Sequence, residues 1–134
     1  MTATAQHRGL ALVVHPSLER ATALHNACVE AGMRTVVARD LPTALLMLSQ
    51  HVFDAAIVSA TISEHADGWS LAAVFRMIFP GAFVAVLAPE RSLEALKNAI
   101  NSGADQIFEC ETTDDEIARA AAARLVKAAS GSVQ

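Results

Sequence analysis

The sequence predicts an α/β fold in which five parallel strands form one doubly wound sheet with helices on both faces. Three observations carry this. Short, wholly apolar runs recur five times along the chain, each is followed by a segment with helical spacing of apolar residues, and the joints are marked by Gly, Pro or a capping residue. At 134 residues the chain fits a single domain able to bury a core unaided.

Leu10, Ala11, Leu12, Val13 and Val14 form the first strand, apolar on both faces as a central parallel strand must be, and His15-Pro16 closes it. Pro16 suits the first position of a helix, and Leu18, Ala21, Leu24, Cys28 and Ala31 recur at helical spacing until Gly32 stops it. Residues 35–38 are the second strand, Asp40 is a cap, and Leu41, Ala44, Leu45 and Leu48 are the inner stripe of the second helix. Residues 55–58 make the third strand, and 59–68 a polar loop before a helix over 69–79 that ends at Pro80-Gly81. The fourth strand is 83–87, the fourth helix 91–102 with Gly103 as its stop, and the fifth strand 106–108. Thr113-x-x-Glu116 has the form of a capping box, and Ile117, Ala121, Leu125 and Ala128 give the last helix its inner face. The domain is expected over 9–129, with flexible tails at 1–8 and 130–134.

Composition narrows the function classes. A net charge of −4 offers no basic field, so nucleic acid is not an expected direct partner. Although 53% of residues are hydrophobic, Arg76, Pro80 and Pro89 interrupt the apolar stretches before any could span a bilayer, which argues against a membrane partner. Two distant cysteines, Cys28 and Cys110, and no leading apolar segment point to a reducing cytoplasm.

Glu30-Ala31-Gly32-Met33 before the second strand, Asp67-Gly68 before the third helix and Ser102-Gly103-Ala104-Asp105 before the fifth strand resemble, in order and spacing, the receiver domain of response regulators. The resemblance covers about residues 9 to 127. It implies a flavodoxin-like (βα)5 fold with strand order 2-1-3-4-5 and a site at the carboxyl ends of the first and third strands, where the order reverses. It also implies what phosphotransfer would require: an acidic pair after the first strand, an aspartate after the third, Thr or Ser after the fourth and lysine after the fifth. Carboxylates would hold Mg²⁺, one of them would take the phosphoryl group, and hydroxyl and ammonium would neutralise its oxygens.

The acidic pair falls on His15 and Pro16, the acceptor on Ser59 or on Ala60 depending on which flank is counted from, the Thr/Ser place on Ala88, and the lysine on Cys110, followed by Glu111. Ile107 occupies the place of an aromatic that many receivers flip on activation. The expectation is therefore a pseudo-receiver. It would have no cofactor, metal or enzymatic activity, and would signal through contacts with a protein partner or a second copy. The competing classes are an unconventional phosphoacceptor in a phosphorelay and a small-molecule sensor at the carboxyl edge of the sheet.

His15, Ser59 and Cys110 would share one end of the sheet, yet no third group orients a nucleophile, and Cys110 reads better as a small buried hydrophobe. His15, Glu64, His65, Asp67 and Cys110 lack the spacing of metal ligands, and Asp67 reads as a helix cap. The acids Glu109, Glu111, Asp114, Asp115 and Glu116 offer a docking patch, against which stands the fact that acids in the first turn of the last helix complement its dipole. On the third helix, where Arg76 is the only charge, Leu71, Phe75, Ile78 and Phe79 fill the core and leave Trp69, Ala73 and Met77 on the other side; Leu46 and Met47 point outward from the second. Leu46, Met47, Trp69, Ala73 and Met77 form the expected partner surface. The resemblance adds a second candidate, the fourth helix, fifth strand and fifth helix, with Lys97, Arg119 and Arg124 as pairing cations.

Overall fold

The computed structural model describes the backbone of residues 9–133 and the side chains of residues 9–125. In chain order the elements are β1 (Leu10–Val14), α1 (Leu18–Glu30), β2 (Arg34–Ala38), α2 (Leu41–Gln50), β3 (Ala55–Ser59), β4 (Thr61–Ser63) and β5 (Ala66–Asp67). Then follow α3 (Gly68–Ile78), β6 (Phe83–Ala88), α4 (Leu93–Ser102), β7 (Gln106–Glu109) and α5 (Asp114–Val133). Five strands pair in parallel in the order β2-β1-β3-β6-β7, which is 2-1-3-4-5 once the small hairpin β4-β5 is set aside.

Every residue of β1, β3 and β6 is buried, so the alternation of side chains divides each strand between two cores. Leu12, Val14, Ala56, Val58, Val84 and Val86 face α2, α3 and α4, where Ala44, Leu48, Leu71, Phe75 and Ala95 meet them. Ala11, Val13, Ile57, Ala85 and Leu87 face α1 and α5, where Leu24, Cys28, Ile117 and Ala121 close the other layer. Each helix start is capped by a side chain. Asp40 takes the Thr43 N–H at 2.8 Å, Asp67 the Ser70 N–H at 2.8 Å, Ser92 the Ala95 N–H at 3.1 Å, and Thr113 the Glu116 N–H at 3.2 Å. Gly103 ends α4 at φ 77°, a conformation that favours glycine.

Several sequence expectations give way. The segment read as a loop after β3 contains the antiparallel hairpin β4-β5, pinned because Ile62 is buried at its centre while its neighbours are exposed. The cap of α1 is Ser17, so Pro16 precedes the helix instead of opening it. On α2 the roles of two residues exchange: Met47 packs against the core and Leu45 is exposed, as the stripe follows Ala44, Met47 and Leu48. Ile78, expected inside, is exposed on α3. The α5 backbone runs to Val133, past the expected boundary at 129, while Ala128 lies outside the described side chains and 1–8 outside the described residues. No described helix is long and apolar enough to cross a membrane.

Arg76, the one charge on α3, ties together the amino end of the sheet. Its Nε donates to the Gly103 carbonyl at 3.1 Å, its Nη1 to Pro80 and Ala82 carbonyls at 2.7 Å each, and its Nη2 meets Asp105 Oδ2 at 2.5 Å. That same Asp105 oxygen accepts the Val84 N–H at 2.8 Å, which joins the start of β6 to the turn before β7. Arg76→Met should therefore lower the unfolding free energy by about 1.5–3 kcal/mol, the range for hydrogen bonds to charged groups. Urea denaturation measures it, and a loss under about 0.5 kcal/mol, typical of an unimportant surface site, would refute this role.

Candidate functional site

The strand order reverses between β1 and β3, so the carboxyl ends of these strands open a crevice flanked by β6 and β7. Backbone bonds link the ends of all five strands of the sheet at this edge. The His15 N–H reaches the Ala38 carbonyl at 3.1 Å, the Ala60 N–H the Leu87 carbonyl at 2.8 Å, and the Cys110 N–H the Ala88 carbonyl at 3.1 Å. The structure thus brings His15, Pro16, Ser59, Ala60, Ala88 and Cys110 to one edge, as the sequence predicts.

Ser59, the last residue of β3, is buried, and its Oγ donates to the Thr61 carbonyl at 2.8 Å. Ala60 is buried as well, and its carbonyl accepts the Gly68 N–H at 2.7 Å. A Cβ on Gly68 would lie 1.9 Å from the Ser59 carbonyl oxygen, so the start of α3 is pressed onto the end of β3 in a way only glycine permits.

His15 Nδ1 accepts the Ser17 N–H at 3.1 Å, a bond that requires that nitrogen to be unprotonated. Burial, then the neighbouring Arg20 charge, depress the imidazole pKa below its ordinary 6.5, with Asp114 opposing them. Cys110 is exposed, contrary to the expectation of a buried hydrophobe, because β7 ends at Glu109 and the chain turns to the surface. The buried thiol is Cys28, which burial and then Asp114 push up to about 12, so it stays protonated.

Asp67 is committed to α3: Oδ1 takes the Ser70 N–H at 2.8 Å and Oδ2 the Ser70 hydroxyl at 3.2 Å. Glu64 and His65 stand 3.8 Å apart on an exposed turn. Among the described residues no three or more His, Cys, Asp or Glu side chains are grouped to hold a metal ion. Beside Ala88 a shallow concavity of about 270 Å³ is lined by Trp69, Pro89, Ser92, Ala95 and Asn98, small for a ligand pocket.

Sequence reasoning missed Arg20. Its Nε meets Asp114 Oδ1 at 2.6 Å, Nη1 donates to the Cys110 carbonyl at 2.7 Å and Nη2 to the Thr112 carbonyl at 2.8 Å. The only hint was a lone cation one turn into α1 and an acid at the start of α5, 94 positions apart.

The expected partner surface is only half realised. Leu46 and Met77 are exposed, Met77 to 81%, whereas Trp69 and Met47 pack against the core and Ala73 is half-buried. The larger apolar stripe is on α4, where Leu93, Leu96 and Ile100 are 69%, 50% and 71% exposed. Their i, i+3, i+7 spacing was readable, but Ala95 and Ala99 already satisfied the core. Arg124 is committed within the chain, its Nη2 3.5 Å from Asp105 and its guanidinium carbon 5.5 Å from the centre of the Phe83 ring. Ile107 packs against the core at the sheet edge.

The depressed His15 pKa fixes a pH effect. The unfolded chain binds the imidazole proton more readily than the folded one, so stability is lost as pH falls through 6.5 towards the folded value. Urea midpoints measured between about pH 5 and 7.5 should drop less on acidification in His15→Gln than in the wild type. Parallel pH profiles would show that His15 is not the group responsible.

No protein-family model matches this sequence, and no curated protein matches it. Solved structures do. A response regulator from Burkholderia pseudomallei, whose structure holds a phosphorylated aspartic acid, a calcium ion and citrate, superposes with a TM-score of 0.76 at 20% identity, covering 92% of this chain and 72% of its own. A CheY-like receiver domain from Methanospirillum hungatei gives 0.79 at 16% identity over 88% and 94% of the two chains. A two-component response regulator from Clostridium difficile gives 0.80 at 18% identity over 89% and 97%. With the strand order, the two-layer helix arrangement and the crevice at the reversal point, these likenesses show that the chain has the receiver fold of response regulators.

Proposed function

We propose that this chain, over residues 9–129, is a degenerate receiver domain in the cytoplasm that transmits a signal by protein contact, without phosphotransfer, metal or cofactor. The observation that carries the reading is the acceptor place. Whether Ser59 or Ala60 is aligned there, the residue is buried, and the single hydroxyl is already bonded to the Thr61 carbonyl. Around it stand an imidazole that accepts a backbone N–H, the methyl of Ala88 and the exposed Cys110, none of them a ligand that suits magnesium. The Burkholderia neighbour, by contrast, carries its phosphoryl group on an aspartic acid.

Incubation with acetyl phosphate and Mg²⁺ followed by intact-mass measurement should show no gain of a phosphoryl group. A stoichiometric gain, mapped to Asp67 or any other residue, would move the protein to the phosphorelay class.

The contact surface in this reading is the α4 stripe of Leu93, Leu96 and Ile100, and its occupant is a second copy of the chain. Glu94 and Lys97, one acid and one base, stand beside the stripe, where a two-fold axis would set each against the other on the partner copy. Sedimentation should show a dimer for the wild type and a monomer for Leu96→Glu/Ile100→Glu, with Leu46→Glu/Met77→Glu still dimeric. A monomeric wild type, or loss of the dimer through the second pair instead, would discard the α4 surface.

A further inference from the structure

Arg20 stands in the first turn of α1, its side chain mostly buried, and all three of its nitrogen atoms are engaged by the short connection between β7 and α5. The acceptors are spread along that connection: the Cys110 carbonyl where β7 has just ended, the Thr112 carbonyl in its middle, and the Asp114 carboxylate where α5 begins. A planar guanidinium offers its donors in a rigid fork, so three acceptors met at 2.6 to 2.8 Å define one position of the loop relative to α1. The loop's other backbone ties are local or lie at its start: Cys110 N–H to Ala88 at 3.1 Å and Thr112 N–H to Glu109 at 2.9 Å.

We propose that Arg20 is a latch that clamps the β7–α5 loop onto α1, holding this rim of the sheet in one position. The latch joins the tops of the two helices that close one face of the sheet, whose lower parts are already packed together. Asp114 serves it twice over, as the anion that pairs with Arg20 and as an acid in the first turn of α5, where the helix dipole favours negative charge. His15 lies within the field of both partners, so its titration reports on the state of the latch independently of stability.

Native-state hydrogen exchange and His15 titration by NMR on the full chain test it. In Arg20→Met the amides of Thr112 and Glu116 should exchange roughly tenfold or more faster, while those of Ile57 in β3 and Val86 in β6 keep their rates, and the His15 pKa should rise. In Arg20→Lys the positive charge remains but one nitrogen cannot span three acceptors; His15 should titrate nearly as in the wild type while Thr112 still exchanges fast. Thr112 exchange that is unchanged in Arg20→Met, or equally slow in Arg20→Lys, overturns the latch. So does acceleration of all amides together, which would make Arg20 an ordinary contributor to global stability.

Discussion

Burial of the central strands on both faces is the constraint from which the rest of this structure follows. β1, β3 and β6 have no residue left at the surface, so their sequences are apolar up to the strand ends, where β3 closes on Ser59. Whatever the domain does must be done at strand ends, on the loops beyond them, or on the outer faces of the helices. At the carboxyl ends the residues are His15, Ser59, Ala88 and Cys110, and the close approach of Gly68 to the Ser59 carbonyl leaves no room at the end of β3. At that edge Ser59 is buried, and backbone bonds join the neighbouring strand ends.

Two arginines do the polar work that remains. At the amino end of the sheet Arg76 gathers the carbonyls of Pro80, Ala82 and Gly103 with the Asp105 carboxylate. At the carboxyl end Arg20 gathers those of Cys110 and Thr112 with Asp114. In each case carbonyls that no helix or strand partner satisfies are met by a cation, and one carboxylate balances its charge. Loops at both rims of the sheet are thereby fixed from within the chain. Most of the exposed large apolar side chains lie on the helices, most prominently on α4, with Val52 on the loop after α2.

Much of this was legible in the residues. The five apolar runs, the caps Asp40, Asp67 and Thr113, and the stop at Gly103 depend on local physics: strand burial, orphan N–H groups in the first helical turn, and the left-handed residue after the last. The convergence of His15, Ser59, Ala88 and Cys110 was legible too, because a parallel sheet places every βα junction at the same end.

What the sequence determined by itself was the order of elements and the identity of the side chains at each strand end, since both follow from periodicities within about a dozen residues. Tertiary structure alone decided which of two neighbouring apolar positions faces inward, as with Leu45 and Met47 on either side of Leu46, because a helix can rotate by part of a turn and still present a stripe. It alone decided that Ile62 would pin a hairpin and that Cys110 would be exposed. The pairing of Arg20 with a loop some 90 residues away belongs here as well. Such contacts are made between segments that folding brings together, and nothing in the local pattern of either segment encodes the other.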